Sequence, residues 1–188
     1  MLEKGTCLSL FQRIRSIHRE VNNKMAAYER QGESDEWYTP RYIFDALGEH
    51  FDLDVAAPVD GPRYVPCGSW LFHNSIQFPW HGFVWMNPPF GHQSTKRLWL
   101  QKFFNHGQGI ALAPDRTSAP WFQEFAPLAG AILFVAPKIK FERPDGSVGE
   151  SPGTGTVLLA AGDRAVASLR RATSLGFVTL PMYPPREG

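Results

Sequence analysis

The residues with the clearest chemical potential are Asn87, Pro88, Pro89 and Phe90, which directly follow an apolar run at residues 82–86 that is typical of a buried strand. Each proline fixes φ at about −65° and lacks an amide hydrogen, so the pair predicts a rigid turn whose carbonyls accept hydrogen bonds from outside the chain. The side-chain oxygen of Asn87 and the carbonyl of Pro88 can both accept from one exocyclic amino group, while Phe90 stacks on the ring that carries it.

Such a cluster would act on an aromatic amine. The lone pair of an aromatic amine is delocalised into its ring, which makes the nitrogen a poor nucleophile. Two acceptors that pull on its hydrogens draw the nitrogen towards tetrahedral geometry, and they stabilise the charge that develops when it reacts. The four residues therefore predict a site that makes a planar amino group nucleophilic and needs neither a metal nor a dedicated base.

Composition and charge indicate one globular domain. The chain has 188 residues, of which 43% are hydrophobic and 20% charged, and this is enough to bury a core. The net charge of +1 does not call for a polyanionic partner, although it is compatible with a local basic face. The two cysteines, Cys7 and Cys67, have no companion at metal-ligand spacing. No run reaches the roughly 18 apolar residues of a membrane span, so we expect a soluble protein of the cytoplasm, with no membrane partner.

The N-terminal segment has the pattern of an amphipathic helix. Its apolar residues recur every three or four positions with basic residues between them, and Gly32 would end the helix. A second helix is predicted over residues 40–49, begun by Pro40. We therefore divide the chain into a helical extension, residues 1–33, and a larger domain, residues 34–188.

Within the larger domain, short apolar runs alternate with helical patterns. The runs are typical of strands buried on both faces, and strands that alternate with helices indicate a parallel sheet and an α/β fold. Two stretches, residues 58–81 and 137–154, do not fit this rhythm and are typical of functional loops. Strands are predicted over residues 51–57, 82–86, 109–113, 130–136 and 155–161, and further helices over residues 94–106 and 118–130.

Polar and aromatic side chains follow the predicted strands. In an open parallel sheet, ligands bind beyond the carboxyl ends of the strands, where the connecting loops converge. If the strands are parallel, one edge of the sheet collects an acid, an amide, an aromatic ring and three cations, which predicts a binding site there. These residues are Asp54, Asn87, Phe90, Arg116, Lys138 and Lys140.

Five blocks of the chain, in order, resemble the phage-type (Dam-like) DNA N6-adenine methyltransferases. NPPF after a strand resembles the [DNS]-P-P-[YFW] motif of enzymes that transfer a methyl group from S-adenosylmethionine to an exocyclic nitrogen, and the other four blocks make the match specific. The resemblance spans residues 35 to about 161. The blocks are DEWYTP (35–40), LDVAA (53–57), NPPFG (87–91), DRTSAPWF (115–122) and KIKF (138–141).

The resemblance implies a compact, truncated Rossmann-like methyltransferase sheet with helices on both faces. It further implies S-adenosylmethionine as the cofactor and double-stranded DNA as the partner, with the target adenine flipped out of the duplex. Carried over residue by residue, it assigns catalysis to Asn87, Pro88, Pro89 and Phe90, donor binding to Tyr38, Thr39, Pro40, Asp54, Ala56 and Ala57, and DNA binding to Arg116, Thr117, Lys138 and Lys140.

The chain departs from the family pattern around the donor site. The usual Gly-rich turn after the first strand reads AAPVDG, and Asp54 and Asn87 lie closer in sequence than the full fold requires. We therefore expect two edge strands to be missing, together with the acid that normally holds the ribose hydroxyls of the donor. The irregular segment 58–81 would then form a wall of the donor pocket.

Other interpretations remain open at this point. RNA and protein N-methyltransferases use the same N-P-P-F chemistry, and the altered turn is compatible with a non-catalytic nucleic-acid-binding relative. Asp54 could instead satisfy loop amides, and Lys138 and Lys140 could form a solvated face. Trp37 is expected in the core rather than on a surface that stacks bases.

Overall fold

The computed structural model describes residues 37–89, 93–149 and 153–181, and the predicted extension, residues 1–33, lies outside them. The described residues contain seven strands and four α-helices. None of these helices has the length and apolar character needed to cross a membrane. In chain order the elements are α1 (Arg41–Leu47), β1 (Phe51–Asp54), β2 (Cys67–Trp70), β3 (Val84–Met86), α2 (Gln93–His106), β4 (Gly109–Pro114), α3 (Pro120–Phe125), β5 (Ala131–Val135), β6 (Thr156–Ala161), α4 (Asp163–Arg171) and β7 (Gly176–Thr179), with 3-10 turns at Ala126–Leu128 and Thr173–Leu175.

All seven strands form one sheet, in the order β2-β1-β3-β4-β6-β5-β7. The first four strands of this order are parallel, whereas β6 runs antiparallel to both of its neighbours and β7 runs antiparallel to β5. Helices cover both faces of the sheet. The α/β class and the Rossmann-like methyltransferase fold that the resemblance implied are therefore confirmed.

The direction of β6 corrects the prediction that every strand is parallel. All six residues of this strand are buried, as in a central parallel strand, so its composition does not reveal its direction. The connection from β5 to β6 contains no helix among its described residues, 136–149 and 153–155. A parallel return needs a long crossover, usually through a helix, whereas a chain that turns back directly gives an antiparallel pair.

The sequence analysis missed two strands and one helix. One of these strands, β2, shows that fewer edge strands are missing than expected. We expected β1 to lie at the edge, but β2 pairs with it in parallel on the outer side. Both β2 and β7 are edge strands whose residues alternate between half-buried and exposed. Because short edge strands carry no continuous apolar run, they resemble loops in sequence. The missed helix is α4.

The core lies in two layers, one on each face of the sheet. On one face, α2 and α3 contribute buried side chains that include Trp99, Phe103, Trp121 and Phe122. On the other face, α1 and α4 pack against strand residues, and Phe44 meets Trp85 edge-to-face at 4.9 Å between ring centres. These layers hold the sheet rigid between its helices.

One edge of the sheet collects the ends of five strands. Strands β1, β2, β3 and β4 are parallel, and β5 runs in the same direction because both β4 and β5 are antiparallel to β6. We call the edge where these five strands end the carboxyl edge. The segments that follow Asp54, Met86, Pro114 and Val135 therefore begin there, as the sequence analysis expected.

Candidate active site

A pocket opens at the carboxyl edge beside the ends of β1 and β3. The pocket is shallow and open to solvent, with a cavity volume of about 40 Å³. The lining residues are Trp37, Tyr38, Thr39, Asp54, Ala56, Pro58, Pro62, Arg63, Tyr64, Val65, Trp85 and Asn87.

Asn87 enters this pocket from the end of β3 and is half-buried. Its side-chain Nδ2 donates a hydrogen bond to the hydroxyl oxygen of Thr39 at 3.1 Å. Because the nitrogen of the amide is engaged by Thr39, Oδ1 lies on the opposite branch and can act as an acceptor. Pro88 is buried, Pro89 is half-buried and neither lines the pocket, whereas Phe90 lies outside the described residues.

Asp54 lies in the same pocket and is only 3% exposed. One oxygen of its carboxyl accepts from the backbone N–H of Ala56 at 3.0 Å. Burial raises the pKa of Asp54 to about 7, against the smaller opposite effect of the Ala56 hydrogen bond. Near neutral pH this carboxyl is therefore balanced between its two forms, and a ligand that brings a positive charge or a hydrogen-bond donor would favour the ionised one.

The turn after β1 reverses the chain without the usual run of glycines. Ala57 donates its backbone N–H to the carbonyl of Leu71, which ties the turn to the segment after β2. Gly61 has φ +87, and its N–H bonds the carbonyl of Pro58 at 2.9 Å. A Cβ at this glycine would also approach the indole of Trp70 to 3.3 Å. Gly61 thus supplies the left-handed conformation, several residues later than the family pattern places it.

Three segments are tied together around the pocket, and we call them the pocket roof: residues 37–39, 58–65 and 141–149. The third folds back on itself as a narrow hairpin through the bridge between Glu142 and Val148, and Glu142 also bridges to Tyr38 of the first segment. The guanidinium of Arg63 lies 4.1 Å from the centre of the Tyr38 ring and 3.9 Å from the Glu142 carboxylate.

Further contacts of the roof involve backbone carbonyls and a phenol. Arg63 donates to the carbonyls of Arg143 at 2.9 Å and Pro144 at 2.5 Å. Tyr64 donates its hydroxyl to the carboxylate of Glu142 at 2.9 Å. The sequence analysis expected the irregular segment to form a wall of the pocket, and residues 58–65 do so. It did not single out Arg63, Tyr64 or Glu142, since contacts across so many residues leave no local pattern.

Trp37 corrects a second expectation. We expected this residue in the core, but its side chain is 38% exposed and lines the pocket. The guanidinium of Arg143 lies 5.3 Å from the centre of its ring, and a Cβ at Gly149 would collide with the ring. Packing against the hairpin rather than burial therefore holds this indole.

The predicted DNA-binding residues lie at the same edge but outside the pocket. Arg116 and Thr117 are exposed after β4, and Lys138 and Lys140 are exposed after β5. The two lysines line a separate open groove with Tyr42 and Pro137. The sheet thus brings the cations to one rim of the molecule, as expected, without placing them in the pocket.

Lys96, near the start of α2, adds a cation that the sequence analysis did not identify. Burial lowers the pKa of Lys96, and the positive charge of Arg116 lowers it further. The two basic side chains are therefore close enough to repel each other. In the sequence this residue is only a lysine a few positions after the NPPF motif. It lies near Arg116 because β3 and β4 are neighbouring strands.

The arrangement provides hydrogen-bond acceptors and one titratable acid. Among the described residues, no group of three or more His, Cys, Asp or Glu side chains could hold a metal ion. Asn87 and Asp54 line one pocket, together with Tyr38, Thr39 and Ala56 from the predicted donor set. Pro40 and Ala57, the remaining two members of that set, are buried nearby in sequence but do not line the pocket.

Comparison with known proteins gives one match. A model of the family described as DNA N-6-adenine-methyltransferase (Dam) matches residues 27–162. A search of the curated proteins gave no match, and neither did a search of the solved structures. The matched span includes every residue that lines the pocket.

The buried carboxyl makes stability depend on pH, and Asp54→Asn should remove this dependence. Burial raises the pKa of Asp54 from about 3.8 to about 7, so between these values the folded chain holds a proton that the unfolded chain releases. The stabilising contribution is complete below about pH 4 and is lost as the pH rises through 7, by at most about 4 kcal/mol. Urea denaturation between pH 4 and 8 measures the free energy of unfolding and tests this slope.

Asp60 provides a matched control, because it is an exposed aspartate in the turn that follows β1. Asp60→Asn should keep the wild-type dependence of stability on pH. A wild-type slope in Asp54→Asn would contradict the prediction, since it would show that this carboxyl does not hold its proton in the folded state.

Proposed function

This chain belongs to the DNA N-6-adenine-methyltransferase (Dam) family, and we propose that it transfers a methyl group from S-adenosylmethionine to N6 of adenine in double-stranded DNA. The observation that carries this proposal is the placement of Asn87 and Asp54 in one pocket at the carboxyl edge. An amide acceptor for the target amine and an acid for a cationic donor are then available side by side.

The residues of the pocket fit S-adenosylmethionine by their chemistry. The molecule carries a sulfonium, an ammonium group, ribose hydroxyls and a flat purine. Asp54 offers a buried carboxyl, and a cationic ligand beside it would lower its raised pKa and favour the ionised form. Tyr38 and Trp37 offer aromatic walls. When bound, S-adenosylmethionine supplies an electrophilic methyl group. Tyr38, Asp54 and Ala56 would hold it, as the resemblance implies, together with Arg63 and Tyr64 from the roof.

Asn87 prepares the nucleophile. With Nδ2 held by Thr39, Oδ1 accepts a hydrogen from the amino group of the target base, and the carbonyl of Pro88 accepts the second hydrogen. The nitrogen gains positive charge as its lone pair bonds to the methyl carbon and the carbon–sulfur bond breaks to release S-adenosylhomocysteine, so both acceptors stabilise the transition state more than the ground state. The proton that the nitrogen then loses passes to solvent. Phe90 stacks on the flipped base, as the family motif implies.

The cations at the carboxyl edge hold the DNA. Extruding a paired base costs a few kcal/mol, and contacts to the phosphate backbone offset this cost. Arg116, Lys138 and Lys140 are exposed at the edge, and Lys96 lies half-buried beside Arg116. Such contacts position the duplex without reading its sequence.

A transfer assay tests the proposed function and separates it from its alternatives. The purified protein and S-adenosylmethionine labelled in the methyl group are incubated with duplex DNA, with RNA or with a protein extract. We expect label in DNA alone, and we expect nuclease digestion to release it as N6-methyladenine. Label in RNA or protein would contradict the substrate. Absence of transfer, together with no binding of S-adenosylhomocysteine in calorimetry, would favour a non-catalytic relative.

Asn87→Ala should lower the turnover number by about several hundredfold while the affinity for S-adenosylhomocysteine stays nearly unchanged. The reason is the loss of one transition-state acceptor, which is worth about 3–4 kcal/mol in comparable sites. Steady-state kinetics and calorimetry measure the two quantities. Asn105→Ala is the matched control, since Asn105 is exposed on α2 and accepts a hydrogen bond from Gln101. A parallel loss of donor affinity in Asn87→Ala would assign Asn87 to another role.

Arg116→Ala should weaken DNA binding and reduce its dependence on salt. Each phosphate contact releases counterions, so losing one contact lowers the salt slope by about one. Fluorescence anisotropy with labelled duplex at several salt concentrations measures both effects. Arg170→Ala, an exposed change in the last turn of α4, serves as the control. An unchanged slope in Arg116→Ala would remove this residue from the DNA interface.

A further inference from the structure

We propose that Thr39 is a positioning residue that sets the orientation of the Asn87 amide, rather than a residue that contacts the methyl donor. The resemblance placed Thr39 with the donor-binding residues. The structure instead joins its hydroxyl to Asn87, 48 positions along the chain. This inference deepens the proposed function and rests on it, because the orientation matters only if Asn87 receives an amino group.

In the structure the hydrogen bond to Thr39 leaves the oxygen branch of the Asn87 amide for the substrate. The two branches of an asparagine amide have nearly the same shape, so packing alone does not choose between oxygen and nitrogen. A hydroxyl can donate as well as accept, and here Thr39 is the acceptor from Nδ2 at 3.1 Å, with Oδ1 on the other side. With the opposite orientation, the N–H groups of Asn87 would meet the N–H groups of the substrate, and neither could accept. The orientation therefore switches the site between an acceptor and a donor.

Thr39 is well placed for this role because both of its chain neighbours are fixed. On one side, the backbone of Tyr38 exchanges two hydrogen bonds with Glu142, at 2.8 and 3.0 Å, and Arg63 stacks on the Tyr38 ring. On the other side, Pro40 precedes the first residue of α1. Thr39 itself is 5% exposed, and its branched Cβ restricts rotation. The hydroxyl is thus held by the hairpin and the helix, and Asn87 adjusts to it.

This geometry separates a positioning role from donor binding. Thr39→Val keeps the shape of the side chain but removes the acceptor, so the amide loses the bond that selects its orientation. The turnover number should fall by about tenfold or more, which corresponds to about one hydrogen bond. The affinity for S-adenosylhomocysteine should stay within about twofold of the wild type. Thr39→Ser restores the hydroxyl and should recover most of the lost turnover.

The experiment combines kinetics with a spectroscopic measurement on the same variants. The side-chain amide of Asn87 is assigned in a ¹⁵N–¹H spectrum by its absence from Asn87→Ala. We expect its two proton signals to shift in Thr39→Val and to return towards the wild-type positions in Thr39→Ser. Thr173→Val, at an exposed threonine in the last 3-10 turn, is the control and should change neither turnover nor this signal. If Thr39→Val does not fold by thermal denaturation, Thr39→Ala replaces it.

Three outcomes distinguish the possible failures. A weaker affinity for S-adenosylhomocysteine with unchanged turnover would place Thr39 at the donor and overturn the inference. An unchanged Asn87 signal in Thr39→Val would overturn it as well, since the hydrogen bond would not form in solution. A signal that shifts in Thr39→Val, when the wild-type protein methylates no substrate, would support the hydrogen bond and overturn the proposed function instead.

Discussion

The parallel pairing of β1 with β3 is the constraint on which the site depends. In this register Asp54 lies opposite Trp85, and Val55 donates its backbone N–H to the carbonyl of Trp85 at 3.0 Å. Asn87 therefore leaves the sheet on the neighbouring strand, two residues beyond the position opposite Asp54. Buried side chains on both faces hold this pair of strands, so their spacing is set by the core and not by the loops. The reacting groups at the carboxyl edge are therefore held in fixed positions.

The parts of the fold that could be predicted from the sequence are those with a strong apolar signal. The central strands and the helix after the NPPF motif carry such a signal, and the carboxyl edge could be located from the residues that follow the strands. The direction of β6 could not be predicted, because burial on both faces looks the same in either direction. The edge strands β2 and β7 were missed because half of each strand is exposed, and their pairing depends on neighbours far along the chain.

The same distinction applies to the site. The NPPF motif and Asp54 could be recognised because each directly follows a strand. The contact between Thr39 and Asn87, and the contacts of Arg63 with the hairpin, join residues that are dozens of positions apart, so no spacing pattern announces them. The role of Gly61 was also hidden, since the sequence does not show that Trp70 lies against it. Sequence patterns thus identify groups with chemical potential, whereas the fold decides which group restrains another.

The roof over the pocket contains none of the sheet's strands, but it packs on the core through Tyr64, Val65 and Phe141. Arg63, Tyr64 and Glu142 connect these segments through side chains and exposed backbone. Polar contacts thus join the segments of the cover to one another, while apolar side chains anchor the cover to the scaffold. Thr39, whose hydroxyl bonds the Asn87 amide, belongs to this cover. A substitution that loosens the cover would therefore also disturb the reacting amide, even where the strands beneath keep their register.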